Sequence, residues 1–174
     1  MVLLPRPFAR AVGSGAVMPT FDQERQVRMR TETNKSVDAL NELIRGEVSA
    51  VETYRQAIEK LGSSPTRFQL EACRRSHEQR IAMLCDQVMS LGGEPAKGSG
   101  AWGAFARLVE GGAAAFGERA AVGALEEGED HGLKLYRNDV DKLDAMSRRL
   151  VETDLLPAQE QTHRAMSTLK QTLH

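Results

Sequence analysis

Two stretches of this chain align without a gap at a separation of 82 residues. The first, "LIRGEVSAVETYRQAI", runs from Leu43 to Ile58, and the second, "LEEGEDHGLKLYRNDV", from Leu125 to Val140. Leu43 matches Leu125, Gly46-Glu47 matches Gly128-Glu129, and Tyr54-Arg55 matches Tyr136-Arg137. Each stretch sits in a run of positions alternating four and three apart. The first run is Leu40, Ile44, Glu47, Val51, Tyr54, Ile58 and Leu61; the second is Val122, Glu126, Glu129, Leu133, Tyr136, Val140 and Leu143. That alternation is the seam spacing of a packed helix. In both seams the central position is a glutamate, where a leucine would be expected. A duplicated helical pattern therefore limits the chain to a helical fold with two related halves and an acidic centre in each.

The remaining segments fit that constraint. Residues 1–34 lack sustained periodicity and are expected to be a disordered leader, with a weak targeting peptide as the alternative and Met18 as a second candidate start. A first helix is expected from near Ser36, a favourable N-cap, to Leu61, where Gly62 and Pro65 stop it. A second should run from about Thr66 to Leu91, with a seam of Leu70, Arg74, His77, Ile81, Leu84, Val88 and Leu91, ending at the following Gly-Gly-Glu-Pro. The short break between the two implies an antiparallel hairpin. Residues 92–117 read as a long crossover holding a short amphipathic helix around Trp102, Phe105, Leu108 and Val109. A third helix is expected from about Glu118 to Leu143. A fourth covers part of 146–172, with Pro157 either opening it or kinking it. The fold expected is all-α: over residues 35–174, two antiparallel hairpins joined by a long crossover form a four-helix bundle.

Composition narrows the function classes. There are 23 basic and 24 acidic side chains, for a formal net charge of -1. Such balance makes no case for nucleic acid or an anionic membrane as a partner. No apolar run reaches the ~18 residues of a membrane span. Cys73 and Cys85 fall on one helix, roughly 18 Å apart along its axis, too far for a disulfide. Free thiols suit a reducing cytoplasm. No phosphate-cradling glycine loop, nucleophile elbow or zinc-knuckle spacing is present.

Helices two and four also correspond, more weakly: "RRSHEQRIAML" lies against "EQTHRAMSTL", with His77 opposite His163 at a separation of 86. Buried carboxylates repel one another and need a compensating cation. Bundles supply one by combining a Glu from each of two helices with a Glu-x-x-His from each of the other two, which together hold two metal ions. Glu47 and Glu129 fit the lone-glutamate positions, Glu160 and His163 fit Glu-x-x-His, and His77 is the second histidine. The position three before His77 is Arg74 rather than glutamate; Glu126, one turn from Glu129, is a substitute carboxylate. Tyr54 and Tyr136 are either core packing with satisfied hydroxyls, or partners of the site carboxylates or electron-transfer groups.

"GEVSAVETY" resembles the first metal-ligand helix of rubrerythrin-type proteins in the ferritin-like superfamily. "LGGEP", the Trp-containing crossover, "ALEEGEDHGLKLY" and the late His before "STLK" resemble, more closely, a bacterial ferritin-like family of uncharacterised function. The resemblance covers about residues 35–172 and implies Glu47, His77, Glu129, Glu160 and His163 as ligands. Two readings of function follow. In one, a mono- or dinuclear iron or manganese centre handles metal or reactive oxygen in a stress response, with metal and small oxygen species as its partners; no Cys-x-x-Cys module is present to deliver electrons. In the other, no cofactor is bound, Arg74 bridges Glu47 and Glu129, and the bundle is a structural or protein-binding scaffold. Apolar residues in the crossover are compatible with a homodimer.

Overall fold

The computed structural model describes residues 20–61, 65–100 and 117–173. Among them every regular element is helical and there is no strand. Helix α1 spans Phe21–Leu61, α2 Arg67–Ser90 and α3 Glu118–Asp139. A 3-10 turn at Val140–Lys142 follows α3. The last helix is built in three pieces: α4 (Ala145–Leu150), a π turn (Val151–Leu155) and α5 (Leu156–Thr172).

The start of α1 corrects an expectation. It begins at Phe21 and not near Ser36, because Thr20 and Gln23 cap it reciprocally. The Thr20 N–H donates to Gln23 Oε1 at 2.9 Å, and the Gln23 N–H to Thr20 Oγ1 at 3.4 Å, a capping box. Asp22 and Glu24 in the first turn complement the helix dipole. This first part of α1 is solvent-exposed up to Thr33, including Phe21, Val27 and Met29. The remainder of the expected leader, and the crossover helix around Trp102, Phe105, Leu108 and Val109, lie outside the described residues.

Helix α2 ends as its glycines require. Gly92 adopts φ +76°, the Gly92 N–H donates to Met89 O at 2.9 Å, and the Gly93 N–H to Val88 O at 3.0 Å, a Schellman ending. A Cβ on Gly93 would lie 2.7 Å from Val37 Cγ1, so glycine lets the chain turn tightly against α1. The chain then follows α1: Asn41 donates to Glu94 O at 3.1 Å and accepts from the Ala96 N–H at 2.7 Å, and Ser99 donates to Glu52 at 2.9 Å.

Pro157 lies in the first turn of α5, as one of the two expectations had it, and α5 continues directly from the π turn before it. Proline has no N–H to continue the i→i−4 ladder. Before it the backbone widens to π geometry, with the Leu156 N–H reaching back to Val151 O. Asp144 caps α4 by accepting from the Met146 and Ser147 N–H groups at 3.0 and 3.1 Å.

The core has two apolar layers. In one, Leu40, Leu43 and Ile44 of α1 pack with Leu84 and Val88 of α2, Tyr136 of α3, and Val151 and Leu155 of the π turn. In the other, Tyr54, Ala57 and Ile58 pack with Leu70 and Cys73, with Leu125, and with Met166 of α5. These groupings run α1 opposite to α2 and to α3, and α3 opposite to α5. Between the layers lies a polar one.

Candidate functional site

The polar layer contains Glu47, His77, Arg80, Glu129, Gln159 and Thr162, each no more than 4% exposed. The helical phase of each element delivers them. Glu47 lies between Ile44 and Val51 on the buried face of α1, and Glu129 between Leu125 and Leu133 on that of α3. On α2 the buried positions are Leu70, Cys73, His77, Arg80, Leu84 and Val88.

His77 is wedged between the carboxylates. Its Nδ1 is 2.7 Å from Glu47 Oε2, and its Nε2 is 3.0 Å from Glu129 Oε1. Arg80 Nε donates to Glu47 Oε1 at 2.8 Å, and its Nη2 to Gln159 Oε1 at 2.8 Å. Gln159 Nε2 donates to Glu129 Oε2 at 2.8 Å and to the Glu129 carbonyl at 3.1 Å. Thr162 Oγ1 donates to Glu129 Oε2 at 2.8 Å. Gly132 allows this approach, since a Cβ there would come within 2.9 Å of Gln159 Nε2.

The tyrosines are exchanged between the halves. Tyr54 donates to Glu129 Oε1 at 2.5 Å, and Tyr136 to Glu47 Oε1 at 2.7 Å. Each phenol thus serves the carboxylate of the opposite repeat. Core packing and partnership with the carboxylates both apply: the rings are buried in the core and the hydroxyls satisfy the site. The Tyr54 ring also stands tilted against the His77 ring, with centroids 5.2 Å apart.

Electrostatics follow from these contacts. Burial opposes ionisation of Glu47, but Arg80 and His77 beside it override burial and bring its pKa down to about 2. Glu129 is likewise lowered against the effect of burial, through the charge of His77 and hydrogen bonds from His77, Tyr54 and Thr162. Burial pulls His77 down, yet Glu47 and Glu129 outweigh it and the repulsion of Arg80, so the imidazole is raised. Burial and the adjacent carboxylates push both tyrosines well above their ordinary value. The layer therefore sets two carboxylates against a guanidinium and an imidazole whose affinity for a proton is raised, and Arg80 Nη2 also lies 2.7 Å from His77 Nδ1. Burial also raises the Cys73 thiol to about 11, which makes it a poor nucleophile or ligand.

The structure brings Glu47, His77 and Glu129 together, but not Glu160, His163 or Glu126. Glu160 accepts from Arg137 at 3.2 Å, His163 pairs with Asp130 at 2.7 Å, and Glu126 pairs with Lys170 at 2.7 Å, all outside the layer. The reason is helical phase. Gln159 and Thr162 take the inward i, i+3 positions, and one residue further on is roughly 100° round the helix. Arg74 is also corrected: it pairs with Glu78 on its own helix and does not bridge the glutamates. Arg80 and Cys73 occupy the seam positions expected for Ile81 and Arg74.

A resident iron or manganese does not fit this donor set. Three of the four carboxylate oxygens accept hydrogen bonds from Arg80, Tyr136, Tyr54, Gln159 or Thr162, and the fourth, Glu47 Oε2, lies 2.7 Å from His77 Nδ1. The two imidazole nitrogens face different carboxylates, Arg80 Nη2 also lies against Nδ1, and a divalent ion would stand beside the guanidinium. Among the described residues no group of three or more His, Cys, Asp or Glu is arranged to hold a metal. No described helix is long and apolar enough to cross a membrane.

A cavity of about 290 Å³ lies between α1 and α3 and opens onto the polar layer. Gly46, Ala50 and Leu135 are among its walls, and Glu47, Tyr54, Glu129 and Tyr136 form its floor.

The sequence model of a family described as "Domain of unknown function (DUF2383)" matches residues 35–142. No curated protein and no solved structure matches the chain.

Proposed function

The chain belongs to the DUF2383 family, and from that premise we propose that its helices form a ferritin-like four-helix bundle acting as a metal-independent, non-enzymatic scaffold. The carboxylate layer is then a charge network that fixes how the helices meet. The observation that carries this reading is Arg80, 1% exposed and bonded to Glu47 and Gln159. It stands where a bundle of the metal-binding kind needs its cation. Buried polar networks of this sort can specify register and pairing more than they add net stability. The sequence reading gave the cation's role to Arg74, which pairs with Glu78 instead; the present proposal rests on Arg80.

The test is direct. Protein purified without added metal is incubated anaerobically with excess Fe(II), or with Mn(II), then desalted and analysed for metal. The expected result is substoichiometric metal and a thermal midpoint unchanged by a chelator. Stoichiometric iron or manganese, lost in Glu47→Ala and His77→Ala, overturns the scaffold reading in favour of a metal centre.

A further inference from the structure

The floor of the α1–α3 cavity has an unusual hydrogen-bonding character. The hydroxyl protons of Tyr54 and Tyr136 are spent on Glu129 and Glu47. The His77 ring nitrogens are already engaged, Nδ1 by Glu47 and Arg80 and Nε2 by Glu129. The Gln159 amide hydrogens go to the carbonyl and carboxylate of Glu129. What these inner groups still offer a guest is therefore lone pairs, on phenolic and carboxylate oxygens. Glu47 and Glu129, both held as carboxylates, form part of this floor and oppose an anionic guest. The walls contributed by Gly46, Ala50 and Leu135 are small or apolar.

We propose that this cavity is a binding site for a small, uncharged, largely apolar molecule whose inner end is a hydrogen-bond donor, such as a phenol or an alcohol. The size is suitable: a dry cavity of roughly 150 Å³ already admits benzene, and this one is about 290 Å³. Burying an apolar body against these walls provides the affinity, and a donated hydrogen bond to a tyrosine or glutamate oxygen provides the orientation. A carboxylate-bearing analogue would set lone pair against lone pair at the buried inner end of the site, which is unfavourable. The proposal rests on the closed, metal-free layer described under the proposed function.

Three probes of similar shape test it: p-cresol, toluene and 4-methylbenzoate, titrated into the full chain by calorimetry and followed by thermal melting. The expected result is saturable binding of p-cresol that raises the melting temperature. Toluene should bind about fivefold more weakly, as loss of one hydrogen bond implies, and 4-methylbenzoate should not bind. Ala50→Phe, which places a ring in the cavity, should abolish p-cresol binding, and the milder Ala50→Leu should weaken it if the phenylalanine variant does not fold. The inference is overturned if p-cresol does not bind saturably, if 4-methylbenzoate binds as well as p-cresol, or if a folded Ala50 variant binds like the parent. Metal analysis of the same preparation reads the scaffold hypothesis separately, so failure of the one is distinguishable from failure of the other.

Discussion

Arg80 and His77 are the basic groups that face Glu47 and Glu129 in the buried layer, so removing either base leaves a buried carboxylate without its partner. Arg80→Met should lower unfolding stability by about 3–5 kcal/mol in urea denaturation. Adding Glu47→Gln should restore part of that loss, since the orphaned charge is then gone; a double variant no better than the single would contradict the pairing. The pH dependence has two limbs. Glu47 falls from 4.5 to about 2 in the folded state, so its contribution is present above 4.5 and is lost as pH drops toward 2. His77 is raised above 6.5, so its contribution is complete below 6.5 and is lost as pH rises through the folded-state value. Stability should therefore be greatest between about pH 5 and 6.5. Glu47→Gln should flatten the acid limb and His77→Gln the alkaline one, as read from denaturation midpoints across pH. The acidic pair and His77 were legible in the sequence because they occupy seam positions. Arg80 was not, because Ile81 beside it is the more natural seam residue, and only the need for a base opposite two buried acids argues for Arg80.

At the level of elements, the helices on either side of the polar layer are fixed by their ends as much as by their faces. Asp144 caps α4 and its own N–H donates to Ser36 Oγ at 2.6 Å, tying the last helix to α1. Asp144→Ala should cost about 1–2 kcal/mol, measurable as a lower melting temperature. The exposed first turns of α1 have no core to stabilise them, and an isolated helix of that length is marginal in water. Hydrogen exchange should show amides from Phe21 to about Thr33 exchanging orders of magnitude faster than those from Leu40 to Ile58. Helix ends marked by Gly and Pro, such as those at Leu61 and Ser90, could be read from the sequence. The start at Phe21 could not, because apolar periodicity begins only where α1 meets its partners; its one signal is the Thr20–Gln23 capping box. The π turn before Pro157 was equally hidden, since a proline marks a missing donor without saying how the backbone adjusts.

Across the molecule, the 82-residue offset that aligns α1 with α3 also governs the other pair of helices. It places Cys73 with Leu155, His77 with Gln159, Arg80 with Thr162, and Leu84 with Met166, and all of these are buried. Matching histidine to histidine at 86 obscured this, because the two helices are alike in position but not in chemistry: α2 supplies basic groups to the layer, α5 neutral amide and hydroxyl groups. Tyr54 and Tyr136, by contrast, kept both their identity and their reciprocal bonds. That exchange makes the two repeats mutually dependent. If the polypeptide is severed after Gly100, each fragment carries a glutamate whose phenol sits on the other piece. The fragments should show no cooperative melting alone and should regain it when mixed in equal amounts. Such complementation is what would be expected if two identical chains once met across this same centre before becoming one.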